Sequence, residues 1–168
     1  LTIAIATGTH GPCQRDQLEL SDEALCDAIV VNHDGHRTDD LVDVGTTRRG
    51  TPVRVHRCVV DTDLVVATGC IRPHYFAGFG AGVKALFPGL GEAVAVRINH
   101  RLKTEPDARA GVFVGNPCRD DLEEAVSLID TPKLLLNGVC RPDDLIHDVV
   151  AGDVIAAFRR GAALAKQL

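Results

Sequence analysis

The chain has 168 residues, with a hydrophobic fraction of 45%, a charged fraction of 24% and a formal net charge of -5. Its size suits one domain that buries roughly two-thirds of its unfolded surface, and its composition excludes disordered and fibrous classes. The acidic balance, with basic pairs only at Arg48-Arg49 and Arg159-Arg160, argues against a nucleic-acid partner, which needs clustered Lys and Arg. Leu1 to Thr7 is a short apolar run feeding Gly8-Thr9-His10-Gly11-Pro12, the pattern of a buried strand entering a tight loop. Asp16 to Leu25 reads as one broken helix. Further strands are expected at Ala28-Val31, Leu41-Val44, Val53-Val60, Leu64-Ala67, Lys133-Val139 and Leu145-Val150. Several are too uniformly apolar to have a wet face, which favours a sheet covered on both sides.

Two helices carry clear signals. Asn116 followed by Pro117 gives a cap and a first-turn proline, after which Leu122, Ala125, Val126 and Ile129 recur at helical spacing. Asp153 opens another helix with Val154, Ile155, Phe158, Ala162 and Ala165 as its apolar stripe, and Arg159, Arg160 and Lys166 suited to its outer face and end. Alternating strands and helices predict a single α/β domain over residues 1–168, Rossmann-like, with a largely parallel sheet and helices on both faces.

No apolar run is long enough for a membrane span, and the first residues lack the basic flank of a signal peptide, so a cytoplasmic protein is expected. The six cysteines form no C-x-x-C pair. Cys58, Cys70 and Cys140 lie in or beside apolar runs and read as buried reduced thiols. The chain contains no methionine, which suits a segment of a longer or processed polypeptide.

The densest chemistry lies between Pro73 and His100: Pro73-His74-Tyr75-Phe76-Ala77-Gly78-Phe79-Gly80-Ala81-Gly82-Val83-Lys84, then Phe87-Pro88-Gly89, then Asn99-His100. Gly78, Gly80 and Gly82 either let backbone N–H groups approach a phosphate or form a structural turn. Their spacing is neither G-x-G-x-x-G nor a P-loop, which disfavours an NAD-dependent oxidoreductase. Lys84 has the chemistry to pair with a phosphate, act as a base or hold a cofactor covalently, and its apolar neighbours argue against a solvated surface lysine. His33, ending an apolar run, and His74, opening the glycine segment, are candidate proton-transfer groups. His36, His56 and His147 have no supporting context, and His10 stays open. His100 suits a metal, but one imidazole makes no site alone. Asn116 and Asn137 read as caps and turns.

Together with Gly8-Thr9-His10, Asn32-His33-Asp34, Gly45-Thr46-Thr47, Gly50-Thr51-Pro52-Val53, Gly115-Asn116-Pro117 and Ala151-Gly152-Asp153, this segment resembles the N-terminal domain of the nickel-pincer lactate racemase family over nearly the whole chain. The resemblance implies an isomerase acting on a small 2-hydroxy acid. It implies a nickel-pincer nucleotide (nickel pyridinium-3,5-bisthiocarboxylic acid mononucleotide) joined to Lys84, with His100 as the nickel ligand and His33 and His74 as the paired acid and base. Gly78, Gly80, Gly82, Thr9 and His10 are then expected to face the nucleotide. It further implies cofactor-biosynthesis enzymes as partners and a second, C-terminal domain that closes the site. Two positions depart from the family pattern: Gly11 stands where an arginine is common, with Arg15, Arg72 or Arg97 as possible substitutes, and Gly80-Ala81 replaces a serine-glycine pair. The alternative is a non-catalytic nucleotide- or metal-binding module that keeps the fold.

Overall fold

The computed structural model describes residues 1–13, 21–25 and 27–168. Strand β1 (Thr2–Ile5) pairs in parallel with β2 (Ile29–Asn32), and α1 (Asp22–Leu25) is a single turn between them. The rest of the broken helix expected from Asp16, and Arg15, lie outside the described residues. Strands β3 (Leu41–Thr46) and β4 (Pro52–His56) form an antiparallel hairpin with a bulge between Asp43 and Gly45. The second strand stops short of Val60 because His56 Nδ1 accepts from the Cys58 N–H, which starts a 3-10 turn over Arg57–Val59.

The largest sheet joins β5 (Val65–Ile71), β8 (Lys133–Cys140) and β9 (Ile146–Asp153), in the order β5-β8-β9. Between β5 and β8 come the two-residue strands β6 (Pro73–His74) and β7 (Gly78–Phe79), helix α2 (Ala93–His100) and helix α3 (Pro117–Ser127). Helix α4 (Val154–Ala165) closes the chain. The two expected caps are present: Asn116 Oδ1 accepts from the Arg119 N–H, and Asp153 Oδ1 accepts from the Ile155 and Ala156 N–H groups. Helix α2 carried no sequence signal, since its Ala-Val-Ala-Val start alternates like a strand.

The largely parallel sheet is corrected to several small, mixed sheets. Strands β1-β2 and β5-β8 run parallel, whereas β3-β4, β6-β7 and β8-β9 run antiparallel. Apolar content says a strand is buried but not which way its neighbour runs; the short connection from β8, closed by the Arg141 N–H to Leu145 O bond, leaves room only for a hairpin. Helices on both faces are not found either. Ala67, Ile71, Leu135, Val139 and Val150 are buried on the face under α4 and the 3-10 turn Gly82–Ala85, while Val66, Leu134, Leu136 and Val149 on the other face are about half exposed. No helix among the described residues is long and apolar enough to cross a membrane. Cys58, Cys70, Cys118 and Cys140 are free thiols; Cys118 and Cys140 are buried, and Cys58 and Cys70 only partly so.

One core cluster runs from the β3-β4 hairpin through β5, β8, α3 and α4 to Val83, Leu86 and Phe87 beside the glycine segment. Gly82 marks one of its tight points. Its φ is +64°, and a Cβ there would overlap the Phe158 ring. Gly82→Ala is therefore expected to cost about 2–4 kcal/mol from overpacking plus the left-handed backbone. Gly111 has φ +77° but open space around it, so Gly111→Ala is expected to cost only about 1 kcal/mol. Urea unfolding midpoints of the two variants check the difference.

Candidate active site

The chain leaves β1 at Ile5 and immediately forms one wall of a cleft of about 320 Å³, lined by Ala6 to His10, His74, Tyr75, Phe76, Lys84, Pro88, Gly89, Val96 and His100. The opposite wall is built by the β6-β7 register, in which Pro73 pairs with Phe79 and His74 with Gly78, so that Tyr75, Phe76 and Ala77 form its tip. The Ala77 N–H donates to His74 Nδ1 at 3.2 Å. Phe76, buried at the tip, is the common neighbour of the polar groups. Its ring centroid lies 4.7 Å from that of His74 and 4.8 Å from that of His100, and Lys84 Nζ sits 5.9 Å from it. The two rings meet Phe76 edge to face, an arrangement favoured by the aromatic quadrupole.

The segment is held from below by buried polar side chains. Asn116 Nδ2 donates to Phe76 O at 2.8 Å, and Asn137 Oδ1 accepts from the Gly82 N–H at 2.9 Å. Arg119, fully buried, donates to the carbonyls of Ala77, Phe79 and Ala81 and stacks 4.1 Å above the Phe158 ring. Asn116 is thus both a cap and a loop tether. Asn137 is neither cap nor turn; it sits inside β8 and is fully buried.

Of the residues expected at the site, the structure brings Thr9, His10, His74, Lys84 and His100 to the cleft. It does not bring His33. That ring is buried, its Nε2 lies 3.0 Å from Gly91 O, and it packs edge to face on His56. The strand end was read rightly, but the side chain turns into the fold. Gly78, Gly80 and Gly82 do not face the cleft either. A Cβ on Gly78 would overlap the Val112 carbonyl, one on Gly80 would approach the Cys70 and Arg72 carbonyls, and the N–H groups of Gly80 and Gly82 already donate to Arg72 O and Asn137. Close packing accounts for Gly78 and Gly82, and the Gly80 and Gly82 N–H groups are already bonded within the fold, so the phosphate-cradle reading gives way to the structural turn. Of the arginines considered as substitutes at Gly11, Arg72 pairs with Asp144 at 2.8 Å and Arg97 is exposed; neither lines the cleft.

Sequence reading missed Phe76, Arg119 and Asp121. Arg119 had a usable signal: it stands one turn before Leu122 on the apolar stripe of α3, where a charge must have a buried purpose.

Burial and like charge set the electrostatics. Desolvation, then the Arg119 charge, lowers the Lys84 amine to about 8. Desolvation, then Lys84, lowers His74 and His100 to about 4. Among the described residues no carboxylate lines the cleft. At neutral pH it therefore holds two neutral imidazoles and a partly deprotonated amine, a set suited to an anionic ligand and to nucleophilic or proton-transfer work.

Two outcomes follow. Acylation of Lys84, followed by peptide mass spectrometry, is expected to rise with a midpoint near pH 8, whereas exposed lysines rise near pH 10; a Lys84 midpoint near 10 would contradict the burial argument. The unfolded chain takes up histidine protons below about pH 6.5 but the fold resists until about pH 4. Across that window the unfolded state binds more protons, so stability must fall as pH drops. Urea midpoints are expected to fall between pH 7 and 5, with a smaller fall in His74→Gln.

A model of the lactate racemase N-terminal domain matches residues 1–111. The chain is 29% identical over 170 residues to lactate racemase of Thermoanaerobacterium thermosaccharolyticum and 28% identical over 174 residues to that of Lactiplantibacillus plantarum, covering 99% and 100% of this chain. In each case it spans 40% of the relative's length. The solved structure of the T. thermosaccharolyticum apoprotein superposes with a TM-score of 0.89 at 29% identity, over 97% of this chain and 40% of that one. A Thermotoga maritima protein shares the fold with a TM-score of 0.76 at 19% identity, over 99% of this chain and 45% of that one. With the family model matching well over half its length, the chain belongs to the lactate racemase N-terminal domain family.

Proposed function

We propose that this chain forms the cofactor- and proton-handling part of a cytoplasmic racemase or epimerase that acts on a small 2-hydroxy acid. The observation that carries the reading is the convergence of Lys84, His10, His74 and His100 on one cleft around Phe76. The names of the relatives support it, as does a cleft wall with neutral bases and no carboxylate, which suits a substrate carboxylate and a nucleotide phosphate.

The residues also fit a nickel-pincer nucleotide. Joining a cofactor through an amine needs that amine unprotonated, and Lys84 is lowered to about 8. Binding nickel needs a neutral imidazole, and His100 is lowered to about 4. Among the described residues no three His, Cys, Asp or Glu side chains cluster as a metal cage; in the proposed cofactor further donors would come with the metal, and His100 would complete them. When bound, this group would supply a reversible hydride acceptor. Lys84 would hold it through its side-chain nitrogen, and the Gly8 to His10 turn, which lines the same cleft, would meet its nucleotide end.

The protein's own part is proton transfer. One imidazole would take the proton of the substrate hydroxyl and another would return a proton to that oxygen, so that the hydroxyl is deprotonated and re-protonated while the configuration at Cα inverts. His74 fits one of these roles. The second falls to His10, because His33 is turned away from the cleft. A C-terminal domain closing the cleft and enzymes that build the cofactor complete the proposal.

The test is made on protein produced together with the cofactor-biosynthesis enzymes. Intact mass is expected to rise by the size of a mononucleotide derivative, and Lys84→Ala is expected to abolish the rise. His10→Ala and His74→Ala are expected to keep the adduct but slow exchange of the substrate Cα hydrogen by about 10²-fold or more. Adduct without exchange over a panel of 2-hydroxy acids would leave only a binding module; an unmodified wild type would overturn the reading.

A further inference from the structure

The proposed nickel ligand sits at the end of a hydrogen-bonded chain whose direction can be worked out atom by atom. Asn99 is fully buried, and its Nδ2 donates to Asp121 Oδ2 at 2.8 Å and to Cys118 O at 3.3 Å. Both partners accept only. Rotating the amide would set its oxygen against a carboxylate and a carbonyl, so the orientation of Asn99 is fixed by chemistry. Asp121 is itself saturated with donors: the Thr47 hydroxyl reaches Oδ1 at 2.5 Å and the Thr51 hydroxyl reaches Oδ2 at 2.7 Å. The Thr51 N–H in turn donates to the Thr47 hydroxyl at 3.1 Å, which commits the Thr47 proton to Asp121.

What remains of Asn99 is Oδ1, an acceptor, and it lies 3.2 Å from His100 Nδ1. The nitrogen facing it must therefore carry a proton. A neutral imidazole has one such proton, so the lone pair of the ring lies on Nε2. His74, on the other side of Phe76, is held the opposite way, because its Nδ1 accepts from the Ala77 N–H and its proton lies on Nε2.

We propose that Asn99, oriented by Asp121, Thr47 and Thr51, is a positioning residue that locks His100 as the Nδ1–H tautomer and so frees Nε2 as the metal-binding atom of the cleft. The assignment of Nε2 to a metal rests on the function proposed above; the tautomer does not. The two neutral rings beside Phe76 are thereby specialised, His100 presenting a lone pair and His74 presenting an N–H.

Nitrogen-15 NMR of histidine-labelled, cofactor-free protein at neutral pH reads each tautomer directly. His100 is expected to be protonated on Nδ1 and His74 on Nε2. In Asn99→Ala, His100 is expected to revert toward the Nε2–H form that free imidazoles favour. In loaded protein, the same variant is expected to retain the Lys84 adduct yet bind nickel about 10- to 100-fold more weakly, measured by competition with a chelator. A wild-type His100 protonated on Nε2, or an Asn99→Ala variant that keeps Nδ1–H, would overturn the proposal. Should Asn99→Ala fail to fold, the wild-type spectrum decides it. A protein that shows the expected tautomers but never acquires adduct or nickel would overturn the racemase reading and leave the tautomer lock standing.

Discussion

A buried guanidinium is the constraint from which the site follows. Arg119 has no solvent and no acidic hydrogen-bond partner among the described residues; its nearby carboxylate Glu123 is engaged by Arg159 at 2.6 Å. Desolvation lowers the Arg119 group to about 10, the Glu123 and Asp120 charges opposing the shift. It is held instead by three loop carbonyls and the face of Phe158. Such a cation is costly to bury and costlier to leave unpaired. The loop from Ala77 to Ala81 therefore takes the one path that points its carbonyls at Arg119, and the glycines make that path sterically possible.

That arrangement also sets the chemistry above it. A fixed positive charge beneath the loop opposes protonation of Lys84, and Lys84 with its neighbours opposes protonation of His74 and His100. The cleft thus keeps several bases in their neutral, reactive forms without placing a carboxylate among them. An acid in the wall would stabilise their charged forms and repel an anionic substrate. The scaffold pays for this with acid sensitivity, since each suppressed protonation favours the unfolded chain as pH falls.

How much of this the sequence displayed depended on the range of the interaction. Helices α3 and α4 were legible because a cap and an apolar stripe are local, and Lys84 and His100 because few residue strings concentrate an amine and imidazoles among glycines. His33 was misplaced because the end of a strand specifies where a backbone stops and not which way the next side chain turns; Gly91 O decides that, from far along the chain. Gly78 and Gly82 looked like a ligand cradle because positive φ serves ligand approach and close packing alike, and only the positions of Val112 and Phe158 distinguish the two. Strand direction failed for the same reason: apolar runs record burial, while pairing is decided by the length of the connection.

The N-terminal part of α3 unites the two halves of the site. At about 100° per residue, side chains two apart leave a helix on nearly opposite sides, and Arg119 and Asp121 are two apart. Arg119 reaches the loop that delivers Lys84, while Asp121 reaches Asn99 beside His100 and the hydroxyls of the β3-β4 hairpin. Burial lowers the Arg119 group to about 10, and its dense hydrogen bonding to the loop carbonyls offsets the lost solvation. One helical turn, started by the Asn116 cap, thereby sets the spacing of an amine and an imidazole that are separate in sequence. Their relative position is fixed by a rigid element, α3, which contacts both the glycine segment before Lys84 and the helix that ends at His100, as the proposed grip on one ligand requires.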